Sequence, residues 1–67
     1  MLFIALINFE GKKFKESGTL VFKVVANNFG EALAKVNIKI ESLNKEDTDY
    51  NHELRSILEV DEMEELE

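Results

Sequence analysis

The sequence predicts a two-layer α+β domain of ββαβ order: a three-stranded antiparallel sheet in order 2-1-3 with one helix on one face. Three observations predict it. Residues 2–9 are an apolar run interrupted only by Asn8. Residues 28–43 combine a helix-capping residue with an apolar stripe at helical spacing. Residues 19–26 and 52–60 read as two further strands.

The first strand organises the rest. Side chains alternate between the faces of a strand, so Phe3, Ala5, Ile7 and Phe9 share one face and Leu2, Ile4 and Leu6 the other. Both faces are apolar, which places the strand in the centre of a sheet. One face is to be covered by the helix. The run lacks the positive flank and small-residue cleavage site of a secretory signal, since no Lys or Arg precedes Lys12. It also falls short of the roughly 20 apolar residues that span a bilayer. Neither a leader nor a membrane span is expected.

Glu10 to Gly18, with glycine near each end and Lys12, Lys13 and Lys15 around Phe14, reads as a connection. The second strand, Thr19 to Ala26, is rich in β-branched and aromatic residues. Leu20, Phe22, Val24 and Ala26 form its helix-facing side, while Val21, Lys23 and Val25 lie opposite. Asn28 is the expected N-cap, with Glu31 at the third helical position of a capping box. Phe29, Leu33, Val36, Ile40 and Leu43 then make the stripe, with Ala32 at its margin and Ile38 on the solvent side. Residues 36–41 also alternate with period two, so this part is open to a strand reading. The longer stripe favours helix, ended by Asn44 in a left-handed conformation. In the third strand, Leu54, Ser56, Leu58 and Val60 are expected on one face and Glu53, Arg55, Ile57 and Glu59 on the other.

The domain is assigned to residues 1–60, followed by an acidic, flexible tail over 61–67 whose Met63 and Leu66 could serve as apolar anchors. A chain of 67 residues buries only about 60% of its unfolded surface and is marginally stable. It has no Cys and one His, so neither disulfides nor a Cys- or His-based metal cage is expected to staple it. The missing Cys fits a reducing cytoplasm, where the protein is expected to reside.

No chemistry-bearing motif emerges. Gly11, Gly18 and Gly30 are isolated and make no phosphate loop. Ser17, Ser42 and Ser56 form no nucleophile elbow. Asp47, Asp49 and Asn51 match the opening of a calcium loop, but His52 stands where glycine is required and Leu58 where glutamate is required. No enzymatic activity and no cofactor are expected.

Charge is lopsided within a net −6. Residues 1–40 carry six lysines against three acids, and residues 41–67 carry eleven acids against Lys45 and Arg55. An acidic half repels phosphates, so a direct nucleic-acid contact through the Lys12–Lys15 loop is disfavoured. The leading expectation is a small inhibitor of phage type that occupies a basic, nucleic-acid-handling protein by charge mimicry. Its candidate acids are Glu46, Asp47, Asp49, Glu53, Glu59, Asp61, Glu62, Glu64 and Glu65. The alternative is a structural module that dimerises through the second sheet face, with Leu2, Ile4, Leu6, Val21, Val25 and Ile57 at the interface.

Overall fold

The computed structural model describes residues 1–13 and 15–60. The chain runs β1 (Leu2–Gly11), β2 (Ser17–Val25), α1 (Phe29–Glu46) and β3 (Tyr50–Val60). The sheet has the order β2-β1-β3, antiparallel on both sides of β1. The most apolar strand is therefore central, and α1 covers one face.

The helix-side core follows from the alternation along β1. Phe3, Ala5 and Ile7 are almost completely buried, and Ala26, Ala32 and Val36 close over them. Leu20, Phe22 and Val24 from β2, Ile40 and Leu43 from α1, and Leu54 and Ile57 from β3 complete the packing. Burying side chains the size of Phe3 and Ile7 contributes about 1.5–3 kcal/mol each. At one end of this core the Phe9 ring lies across Gly18, its register partner on β2. A Cβ on Gly18 would sit 2.6 Å from Phe9 Cζ, so glycine is what admits the ring there. The same ring meets Tyr50 edge-on, with centroids 5.7 Å apart.

Residues 36–43 are helical throughout. Asn28 caps α1, its Oδ1 accepting from the Glu31 N–H at 2.8 Å. The Glu31 carboxylate does not complete the expected box. It accepts from Asn27 Nδ2 at 3.2 Å and pairs with Lys35 at 3.4 Å. The buried stripe is also rotated from the expected one. Ala32 is fully buried, while Phe29 is 55% exposed and rests its edge on Phe3. A small residue at 32 lets the first turns approach the sheet closely, and a phenylalanine fits only at the margin. Ile38 is solvent-exposed as expected.

Asn44 does not end the helix. Among the described residues none has positive φ, and α1 continues to Glu46 with Asp47 as C-cap, the Asp47 N–H donating to the Leu43 carbonyl at 2.9 Å. Asn44 instead reaches across to β3, where its side chain binds the backbone of His52 in both directions. Asn44 Nδ2 donates to the His52 carbonyl at 3.2 Å, and the His52 N–H donates to Asn44 Oδ1 at 2.8 Å. A helical side chain thus satisfies groups that a sheet edge leaves unpaired.

The main departure is in β3. Its register against β1 shifts between Leu6 and Ile7: Ser56 faces Leu6, but Leu54 faces Ile7. Arg55 is the additional residue, a β-bulge that reverses the facing of everything beyond it. Leu54 and Ile57 consequently both face α1, and Leu58 and Val60 face away.

Candidate functional site

The sheet face opposite α1 has no cover among the described residues. Register fixes its composition. Leu2, Ile4 and Leu6 run down its centre, flanked by Val25, Lys23 and Val21 on β2 and by Val60, Leu58 and Ser56 on β3. Val21, Val25 and Leu58 are 63%, 69% and 56% exposed, while Leu2, Ile4 and Leu6 are half-buried by their neighbours. The apolar part occupies the end of the sheet where β1 begins. Towards the other end the same face turns polar: Thr19 donates to Asn8 Oδ1 at 3.0 Å, and Glu53 and Glu10 follow. Within the apolar part Lys23 is the charged residue, and it lies on the edge strand.

Five of the six expected interface residues, Leu2, Ile4, Leu6, Val21 and Val25, share this face. Ile57 does not. The bulge at Arg55 turns it onto the helix side, where it touches both buried clusters. Leu58 and Val60 take the place assigned to it. A strict period-two reading of β3 puts them among the helix-facing residues, and nothing in the composition of residues 52–60 marks the extra residue.

The acidic candidates are spread out. Glu46, Asp47 and Asp49 lie at the turn between α1 and β3. Glu53 is on the polar end of the open face, level with Asn8. Glu59 is at the far end of β3, level with Phe3. Asp61, Glu62, Glu64 and Glu65 lie outside the described residues. The acidic turn is adjacent to the basic loop: the Lys12 N–H donates to the Asp49 carbonyl at 2.8 Å, so Lys12, Lys13 and Lys15 share one end of the molecule with Asp47 and Asp49. Phe14 also lies outside the described residues. Through residue 60 the chain holds nine acids and eight bases, close to balance, and the remaining five acids fall in 61–67.

A polar contact ties the two loops at that end together. The Tyr50 hydroxyl donates to Glu16 Oε2 at 2.7 Å. That hydrogen bond, then desolvation and the charges of Glu16, Asp47 and Asp49, raises the phenol above its ordinary value of 10.0. Because the neutral phenol is favoured in the folded state, its contribution to stability is present below pH 10 and is lost as pH rises through the raised value. Tyr50 is the single tyrosine, so its ultraviolet absorbance titration reports this group alone. The midpoint is expected above 10.0, and Glu16→Gln is expected to lower it. An unchanged midpoint in the variant would show that the contact does not hold in solution.

His52 is buried, with Nδ1 2.9 Å from Asn44 Oδ1, a hydrogen bond when Nδ1 carries the proton. It is level with Phe9 on β1 and, with Phe9, Leu20, Asp47 and Tyr50, lines a cavity at that end of the molecule. Among the described residues no group of three or more His, Asp or Glu side chains converges as a metal site. No helix among them is long and apolar enough to cross a membrane. No protein family, no curated protein and no solved structure matches this chain.

Proposed function

We propose that the chain is a non-catalytic protein-binding domain, that the open sheet face is its contact surface, and that the surface pairs with a second copy of the same chain. The observation that carries this reading is the contiguous apolar set Leu2, Ile4, Leu6, Val21, Val25, Leu58 and Val60 on the face away from α1. Soluble domains rarely leave such a patch wet.

Three physical points favour a second copy as occupant. A two-fold interface requires a patch complementary to itself, and an apolar patch with its one charge at the edge meets that requirement. Two such sheets can stack face to face about 10 Å apart and interdigitate. The resulting shared core offsets the marginal stability of so short a chain. The near-balanced charge of residues 1–60 imposes little repulsion on the approach.

Charge mimicry of a nucleic acid receives less support from the geometry. It would call for the acids on one surface, whereas the described ones occupy three places and share one end with lysines. The net charge of −6 then serves chiefly to keep the chain soluble and to disfavour acidic partners.

Ile4→Asp tests the assignment. It places a carboxylate at the centre of the open face and outside the helix-side core. The expected result in sedimentation equilibrium is self-association weakened at least about tenfold, the equivalent of about 1.4 kcal/mol, with an unchanged circular dichroism spectrum. Association as tight as that of the unaltered chain would remove the open face from the interface. Association that is abolished by high salt instead would point to the charged surfaces.

A further inference from the structure

The cavity at the start of β3 is met by a polar group that the fold does not use. His52, 9% exposed, lines it together with Phe9, Leu20, Asp47 and Tyr50. Asn44 occupies the other polar atoms of this residue. Its Nδ2 donates to the His52 carbonyl, and its Oδ1 accepts from the His52 N–H. These two bonds fix which end of the amide is oxygen. Oδ1 is therefore the atom 2.9 Å from Nδ1, and an acceptor at that distance requires the proton on Nδ1. In the neutral ring the lone pair is then on Nε2. Among the described residues nothing hydrogen-bonds Nε2, and no fully buried side-chain nitrogen or oxygen lacks a partner, so Nε2 is not sealed inside the protein. Asn44, which holds the Nδ1 side, is not one of the lining residues, so the Nε2 side of the ring is the one that meets the cavity.

The remaining walls are mostly apolar. The Phe9 and Tyr50 rings meet at 79°, and Leu20 adds aliphatic surface. The Tyr50 hydroxyl already donates to Glu16, so it offers the cavity no donor. Asp47 is the charged residue of the wall, and it disfavours an anionic ligand. The cavity has a volume of about 170 Å³. An apolar cavity of about 150 Å³ in another protein takes benzene, so the space here matches one six-membered ring. A pocket of this kind orients its ligand through the few polar groups it contains. We propose that this cavity binds a small neutral aromatic alcohol, with its ring against Phe9, Leu20 and Tyr50 and its hydroxyl donating to His52 Nε2. A hydrocarbon of the same size would displace water from Nε2 and leave the acceptor unpaired. Phe9 and Leu20 place the cavity on the helix side of the sheet, so Ile4→Asp is expected to leave it intact.

Phenol and toluene, which are similar in size and differ in the hydroxyl, are the probes. The full chain is used at pH 8, above the ordinary imidazole range. His52 is the single histidine, so long-range proton–nitrogen correlation spectra report its two ring nitrogens without ambiguity. The free chain is expected to show Nδ1 protonated and Nε2 unprotonated. Phenol is expected to move the Nε2 signal upfield and to shift the Phe9 and Tyr50 ring protons saturably. Toluene is expected to bind at least about tenfold more weakly. His52→Phe keeps a ring and the backbone bonds to Asn44 but removes the acceptor, and it is expected to bring phenol down to the affinity of toluene. Should that variant fail to fold, the Nε2 shift and the comparison of phenol with toluene in the unaltered chain decide alone. An Nε2–H tautomer in the free chain overturns the proposal. So does equal affinity for the two compounds, or the absence of a saturable shift with phenol, which would leave Nε2 to water.

Discussion

Ile57→Asp is expected to unfold the domain, whereas Leu58→Asp, one position further along the same strand, leaves it folded and weakens self-association. Ile57 packs against Phe3, Ala26 and Ala32 and against Ala5, Ile7 and Val36. Losing its side-chain contacts costs about 2–5 kcal/mol by analogy with large-to-small core substitutions. Placing an unpaired carboxylate among them adds several more. A chain of 67 residues has about 3–10 kcal/mol in total, so the folded state does not survive. Leu58 is 56% exposed on the other face, where aspartate meets water and the monomer loses little. Urea unfolding followed by circular dichroism, with mass measured in parallel, separates the two. The opposite ranking would show that β3 lacks the bulge at Arg55 and pairs in the unshifted register.

The second large effect is at Asn44. Asn44→Ala is expected to destabilise the domain by about 2–3 kcal/mol, because it strands the part-buried N–H and C=O of His52 together with the ring contact at Nδ1. Asn44→Asp keeps an acceptor for the His52 N–H but loses the donor to the His52 carbonyl, so it is expected to fall between Ala and the parent residue. The loss is local at first. Amide exchange is expected to speed up in residues 50–54 before the centre of β1 is affected. Equal stability of Asn44→Ala and the parent chain would mean that the helix and β3 are held by apolar packing alone.

These two residues also mark where the sequence was legible and where it was not. Element order, sheet order and the helix-facing set of β1 follow from local patterns: two apolar faces on β1, alternation on β2, and an N-cap ahead of a helical stripe. Each is a property of residues close together in the chain. The bulge is not. Residues 54, 56, 58 and 60 satisfy a period of two with three apolar members, so the unshifted register reads as well formed. Only pairing with β1 and the space under α1 favour bringing Leu54 and Ile57 to the same side. An unshifted register consequently puts Ile57 on the open face, and Leu58 and Val60 on the covered one. Asn44 departs from expectation for a related reason. An asparagine near the end of an apolar stripe is a common helix terminator, and its use as a clamp on a strand eight residues further on depends on tertiary placement. Ala32 and Phe29 exchanged roles because closeness of approach, rather than hydrophobicity, decides which side chain fits between the first turns of α1 and the sheet. Leu2, Ile4, Leu6, Val21 and Val25 share one face because both strands alternate without interruption, a pattern local enough to read from the sequence. The acids were not legible as a surface, since linear clustering says little about where a turn, a strand and a following segment point.

The most direct measurement is the absolute mass of the unaltered chain in solution, by light scattering after gel filtration over a range of concentrations at low and high salt. Pairing of the apolar sheet faces predicts twice the 7.7 kDa chain mass, maintained or strengthened as salt rises, because apolar burial is not screened. A mass of 7.7 kDa at every concentration and salt level would contradict it and leave the face formed by Leu2, Ile4, Leu6 and Leu58 exposed to water.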